Sequence, residues 1–83
     1  LNYPHSLENN NLYGYINKKG EYVIPPKYRD AEDFKDGYAK VKGRNGIGLI
    51  DTKGKEIVPC QYDDVKVYKD YIIKLKGKDA FIT

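Results

Sequence analysis

The segment GYINKKG at residues 14–20 returns as GLIDTKG at residues 48–54. The similarity extends past this segment, because twelve of the thirty positions from Gly14 to Gly43 are identical to their counterparts 34 residues later. Average composition would give roughly two identities by chance. The chain therefore contains a tandem repeat, and a period of this length is typical of proteins built from stacked supersecondary units.

Each copy of the segment predicts a β-hairpin. Asn17 or Asp51 opens a turn that Gly20 or Gly54 closes, which is the pattern of a type I turn followed by a left-handed residue that forms a G1 bulge. The strands of the first hairpin are predicted at residues 13–17 and 21–25, and those of the second at 47–51 and 55–59. A proline ends the second strand of each pair, because proline cannot donate to a ladder.

A further strand precedes each hairpin. Residues 38–42 alternate Ala39 and Val41 with lysines, and residues 72–76 repeat the alternation, so one face is expected in the core and the other in solvent. Gly77 and Lys78 fit the centre of a type II′ turn. The predicted fold is all-β, a tandem array of antiparallel three-stranded meanders that forms a solenoid or an open propeller-like segment.

The repeat divides the 83 residues into four parts of a single repeat domain. Residues 1–12 are expected to end a preceding unit, with a strand at 4–8, residues 13–46 and 47–78 form two repeats, and 79–83 begin a third. A chain of this length buries only roughly 60 to 65% of its unfolded surface, which excludes a two-domain enzyme. Its longest apolar runs are too short to span a bilayer.

The connectors between meanders, residues 28–34 and 62–68, are ambiguous. In each, an aromatic residue is followed three positions later by a small apolar residue and three positions after that by another aromatic residue. This spacing suits a single helical turn, although Val65-Lys66-Val67 could equally form a short strand.

Gly14, Gly48 and Ala80 hold the same place in three copies. A residue without bulk inside a strand indicates either that another backbone or a ring lies over it, with Tyr28 and Tyr62 as candidate rings, or that the strand contains a bulge. The sequence favours the two interpretations about equally.

No combination of residues predicts catalysis, a metal or a cofactor. Cys60 is the only cysteine and occupies the place of Pro26 in the first repeat, so a structural role is favoured over a reactive thiol. The connector carboxylates could bind a hard cation, but they suit side-chain caps of turns better. They are Asp30, Glu32, Asp33, Asp63 and Asp64.

The candidate partner-binding residues are four lysines at equivalent places of two strands: Lys40, Lys42, Lys74 and Lys76. Basic side chains interleaved with aromatic ones can track phosphates and stack on bases, and the chain has nine tyrosines. Lysine on the solvent face of a sheet is also the ordinary guard against edge-to-edge pairing, and this second interpretation is favoured. The net charge of +3 arises from scattered opposite charges, a weaker footprint than nucleic-acid binding proteins show.

The segment from Tyr13 to Gly20, continued by Val23-Ile24-Pro25-Pro26, Tyr28, Asp30-Ala31 and Phe34, resembles the WG-repeat (KWG-repeat) family of bacterial proteins. The second copy resembles it through Gly48–Gly54, Ile57-Val58-Pro59 and Tyr62-Asp63-Asp64. Tyr13 and Ile47 stand where that family has tryptophan. The resemblance implies an all-β repeat module, often from large multi-repeat or surface-associated proteins, with no established enzymatic activity.

These observations favour a non-catalytic binding or scaffold module that engages a protein or a glycan, with copy number supplying multivalency. The alternative is a weak binder of nucleic acid or another anionic polymer. Unpaired strand edges near Ser6 and at Ala80–Thr83 predict one of two outcomes: the chain self-associates through these edges, or it is a fragment of a larger multi-repeat protein whose further repeats cover them. The compartment is not fixed by the sequence, although the resemblance is compatible with a secreted or cell-surface location.

Overall fold

The computed structural model describes residues 3–6 and 12–82, and this part of the chain contains strands and no helix. The all-β prediction is confirmed. The strands are β1 (Tyr3–Ser6), β2 (Tyr13–Ile16), β3 (Tyr22–Tyr28), β4 (Asp30–Ala31), β5 (Tyr38–Gly43), β6 (Gly46–Asp51), β7 (Glu56–Tyr62), β8 (Asp64–Val67), β9 (Ile72–Lys76) and β10 (Asp79–Ile82). No helix in the described ranges is long and apolar enough to cross a membrane.

The strands form three antiparallel meanders in chain order: sheet 1 (β1–β3), sheet 2 (β4–β7) and sheet 3 (β8–β10). Sheet 2 has four strands instead of the expected three, because the connector strand β4 pairs with β5. Each sheet joins the end of one predicted repeat to the start of the next. Residues 13–46 thus supply β2 and β3 to sheet 1 and β4 and β5 to sheet 2.

The two predicted hairpin turns are present. In the first, Gly20 has a φ of 82° and donates to the Asn17 carbonyl, while the Asn17 side-chain oxygen accepts from the backbone N–H groups of residues 19 and 21. Asp51 and Gly54 repeat these contacts in the second turn, with a φ of 86° at Gly54. The local turn chemistry therefore dictates both hairpins.

The predicted strand ends at Pro25 and Pro59 are wrong, because β3 and β7 continue three residues further, to Tyr28 and Tyr62. A β-bulge accommodates each proline. In the second hairpin, Leu49 pairs with Val58, but Ile47 pairs with Tyr62 instead of Cys60, so β7 has two extra residues at this point. The same shift occurs between β2 and β3. A bulge removes residues from the ladder, so a proline there leaves no donor missing.

The bulge explains the small residue in the middle of β2 and β6. A Cβ on Gly48 would lie 2.5 Å from the carbonyl oxygen of Val58 and 2.8 Å from the backbone nitrogen of Cys60, and Gly14 faces the equivalent backbone of β3. The sequence offered a nearby backbone and a bulge as alternative explanations of these glycines. In the structure the nearby backbone is that of the bulge, so both explanations describe one feature. The nearest atoms belong to the backbone of the bulge rather than to the rings of Tyr28 or Tyr62.

The connectors contain strands β4 and β8 in place of a helical turn, which confirms the alternative of a short strand at Val65–Val67. The first connector then reverses at Asp36-Gly37, where both residues have positive φ, of 54° and 88°. Lys35 and Tyr38 exchange backbone hydrogen bonds of 2.7 and 3.1 Å across this turn. Asp-Gly with two positive φ angles is the signature of a type I′ hairpin.

Sheet 2 has a buried cluster on each of its faces. Adjacent residues of a strand point to opposite faces, so neighbours in β6 belong to different clusters. Ile50 is fully buried and packs in one cluster with Tyr15, Ile24 and other residues of sheet 1. Leu49, its neighbour, packs in a second cluster with Val65 of sheet 3. The molecule thus has two inter-sheet spaces, one between sheets 1 and 2 and one between sheets 2 and 3.

The predicted buried face is present in β5 but not in β9. Ala39 and Val41 are 1% and 2% exposed, whereas their counterparts Ile73 and Leu75 are only half-buried. The prediction of a buried face is therefore confirmed in sheet 2 and wrong in sheet 3.

A difference in strand register accounts for this. In sheet 2 the connector residue Ala31 pairs with Val41. In sheet 3 the equivalent Val65 pairs with Lys74 instead of Leu75, the counterpart of Val41. A shift of one residue moves every side chain of a strand to the other face, so Lys74 shares the face of the buried Val65.

The first strand also differs from expectation. It was predicted at residues 4–8, but β1 is Tyr3–Ser6, and His5 pairs with Gly14, the role that Val41 plays opposite Gly48. Leu7, whose place in the repeat supported the predicted assignment, and Glu8 lie outside the described residues.

Candidate functional site

Lys40 points into the space between sheets 2 and 3. It pairs across the strands with Leu49 and so shares its face. Its Nζ donates to Asp64 Oδ1 at 3.0 Å, and the two side chains are 30% and 38% exposed. The hydrogen bond from Lys40 is the main reason that the pKa of Asp64 lies below its usual value. Lys40 is thus held in an ion pair between the sheets.

The other three predicted lysines do not join Lys40 in one open surface. Lys74 is half-buried on the face of sheet 3 that is turned toward sheet 2, with its Nζ 5.8 Å from the centre of the Tyr62 ring. Lys42 and Lys76 are exposed. The expectation that all four lysines face solvent is therefore wrong for Lys40 and Lys74, and their role in partner binding stays a prediction.

A cleft of about 630 Å³ opens between sheets 2 and 3, beside the Lys40–Asp64 pair. Its floor is Leu49, which is itself buried, and its walls come from the two connectors and β5. Three carboxylates and three ammonium groups line it, and one of these ammonium groups, that of Lys40, is paired with Asp64. The cleft therefore has no excess of positive charge. The lining residues are Glu32, Asp33, Lys35, Asp36, Tyr38, Lys40, Leu49, Val67, Tyr68 and Lys69.

Tyr68 forms the aromatic wall of this cleft and is 45% exposed. Its ring stacks on Tyr71 with centroids 4.9 Å apart and planes inclined by 25°, and the backbone N–H of Tyr68 donates to the Tyr71 carbonyl at 2.9 Å. The reversal that follows β8 therefore holds the two rings together, and Tyr68 is the one that lines the cleft. Such an exposed aromatic pair offers a flat apolar surface to a ligand.

Three of the five connector carboxylates, those of Asp30, Asp63 and Asp64, accept hydrogen bonds from groups of the protein itself. Asp30 accepts from the backbone N–H of Ala31 at 2.9 Å, and Asp63 accepts from that of Gly77 at 2.7 Å. Within residues 3–6 and 12–82, no group of three or more metal-ligating side chains comes together. These contacts are of the turn-capping kind expected for the carboxylates.

Cys60 lies in the bulge of β7 and is half-buried against Gly48. Burial, followed by the charge of Glu56, raises the pKa of its thiol. A thiol in such surroundings is a weak nucleophile, because the thiolate is the reactive form.

Sequence reasoning about the lysines missed the cleft. The residues that shape it, Leu49, Tyr38 and Tyr68, carry no recognisable chemical motif. One signal was present in the repeat alignment: Leu49 stands where the first copy has Tyr15.

Comparison with known proteins gives a family match. The family model described as WG containing repeat matches residues 13–46 and 47–78. No curated protein and no solved structure matches the chain.

Proposed function

Because the chain belongs to the family of WG containing repeats, we propose that it is a non-catalytic binding or scaffold module that engages a protein or a glycan in the cleft between sheets 2 and 3. The observation that carries the proposal is the cleft itself. It combines an aromatic wall at Tyr68 with charged groups of both signs around it. Concave sites that combine apolar walls with a few polar groups are typical of ligand binding.

The alternative, an anionic-polymer binder, has weaker support. Lys40 is neutralised by Asp64, and Lys74 lies over the Tyr62 ring. Lys42 and Lys76 are then the exposed members of the predicted set. Two exposed lysines give a smaller attraction for phosphates than the four that the sequence suggested.

The proposal is tested by screening the protein against an array of glycans and a displayed library of peptides. The affinity of each ligand found is then measured for the wild type, Tyr68→Ala and Phe81→Ala. Phe81 is a matched control, because it is 47% exposed and does not line the cleft. We expect Tyr68→Ala to weaken binding about tenfold or more, as loss of an aromatic anchor does, and Phe81→Ala to change it little.

The dependence of ligand affinity on salt concentration distinguishes the two candidate functions. A ligand held by the aromatic wall of the cleft, which has no excess of positive charge, should lose little affinity between 50 and 200 mM salt, whereas a phosphate polymer should lose affinity steeply. Ligands that are salt-sensitive, depend on Lys42 and Lys76, and are indifferent to Tyr68→Ala would contradict the proposal.

A further inference from the structure

The hairpins and connectors that line the two inter-sheet spaces are equivalent parts of the repeat, but a tyrosine ring fills a place in the first space that is open in the second. In the first space, Tyr15 is fully buried and its ring lies 4.7 Å from that of Phe34, centre to centre. Its hydroxyl donates to the carbonyl oxygen of Glu32 at 2.7 Å. One tyrosine side chain thus fills the space between the first hairpin and the connector that follows it.

In the second space, the counterparts of Tyr15 and Phe34 are Leu49 and Tyr68. A leucine side chain reaches only as far as the first ring atoms of a tyrosine, so residue 49 cannot extend along the connector as Tyr15 does. Leu49 forms the floor of the cleft, and Tyr68, which is 45% exposed, lines its wall. In contrast, Phe34 is half-buried against Tyr15.

We infer that the cleft accepts a tyrosine side chain presented by a peptide segment of a partner protein, in the place that Tyr15 fills in the first space. This inference rests on the proposed binding function and names its ligand. The ring would pack on Leu49 and against Tyr68, as the ring of Tyr15 packs against Phe34. Aromatic pairs prefer tilted or offset arrangements at such separations.

The charge of the cleft agrees with a neutral occupant. The lining carboxylates of Glu32, Asp33 and Asp36 stand beside the ammonium groups of Lys35 and Lys69. The third lining ammonium group, that of Lys40, is already paired with Asp64. A charged ligand would meet a like charge on one side, whereas a phenol is neutral at pH 7 and its hydroxyl can both donate and accept.

The test is an NMR titration of the ¹⁵N-labelled protein with N-acetyl-tyrosinamide, N-acetyl-leucinamide and cellobiose. We expect the tyrosine derivative to shift the amide signals of Leu49 and Tyr68, with a dissociation constant on the order of 1 mM for so small a ligand. The leucine derivative should bind at least several-fold more weakly, because it has no ring and no hydroxyl.

The variant Leu49→Tyr should fill the cleft with its own ring and weaken binding of N-acetyl-tyrosinamide tenfold or more. Leu75→Tyr is the matched control, because Leu75 is half-buried on sheet 3 and does not line the cleft; it should bind like the wild type. Should Leu49→Tyr fail to fold, Tyr68→Ala at the exposed wall must show the same loss.

Three results would overturn the inference: no shift at the cleft with N-acetyl-tyrosinamide, equal binding of the leucine derivative, or undiminished binding by a folded Leu49→Tyr. If cellobiose shifts the cleft signals and the tyrosine derivative does not, the tyrosine assignment fails while the binding function stands. The binding function itself fails only if ligands found in the wider screen are indifferent to Tyr68→Ala.

Discussion

Tyr15 should be one of the most sensitive positions of the protein. Tyr15→Phe removes the hydrogen bond to Glu32, which contributes about 1 kcal/mol. Tyr15→Leu also removes the ring contact with Phe34, about 0.5 to 1.5 kcal/mol, and leaves part of the space unfilled. We therefore expect Tyr15→Leu to lower the free energy of unfolding by about 2 to 4 kcal/mol. A domain of this size has a total stability of roughly 4 to 12 kcal/mol.

Urea unfolding followed by circular dichroism measures this loss. Tyr71→Leu is the control, because Tyr71 is 42% exposed and stacks on Tyr68 outside the core; it should cost less than about 1 kcal/mol. The order of stability should be wild type, Tyr15→Phe, Tyr15→Leu. If Tyr15→Leu cost no more than Tyr71→Leu, the description of the first space as closed by Tyr15 would be refuted.

Three further predictions concern the bulge, the ion pair and the sheet edge. Gly48→Ala should lower the free energy of unfolding by about 3 kcal/mol or more, because its methyl group would overlap the backbone of the bulge. The control Gly77→Ala, at a position with φ of 60° and no atom within 4 Å of the added Cβ, should cost about 1 kcal/mol. Equal melting temperatures of the two variants would refute the bulge. Lys40→Met should destabilise the protein at pH 7. Its deficit in urea unfolding should shrink as the pH falls through the pKa of Asp64, which the ion pair holds below the usual value of a carboxyl group, because protonation of Asp64 removes the pair from the wild type; a deficit independent of pH would contradict this. β10 is an edge strand on which Ile82 is 68% exposed, so sedimentation should show concentration-dependent self-association that Ile82→Lys reduces; a wild type that stays monomeric at every concentration would refute it.

The parts of the fold that depend on neighbouring residues could be predicted from the sequence. Asn17 and Gly20 specify their turn through contacts within four residues, and the repeat of these residues at Asp51 and Gly54 made the second hairpin equally clear. The family resemblance and the all-β class followed from the same segments.

The parts that depend on packing between sheets could not. Whether a strand stops at Pro59 or continues through a bulge depends on the backbone that lies over Gly48. The register that turns Lys74 toward sheet 2 differs by one residue from that of its counterpart, and sequence alternation alone does not define it. The cleft arises where the second repeat has Leu49 in place of Tyr15. The sequence shows this difference, but only the structure shows that the residue lies between two facing sheets.

A crystal structure of the Leu49→Tyr variant tests the central claim most directly, namely that Leu49 and Tyr68 hold the places of Tyr15 and Phe34 and leave open the room that the Tyr15 ring fills. The account predicts that the introduced ring lies in the cleft against Tyr68, with a centroid separation close to the 4.7 Å between Tyr15 and Phe34, and that the three sheets keep their pairing. An introduced ring that points into solvent beside an unchanged cleft, or sheets 2 and 3 forced apart, would contradict it.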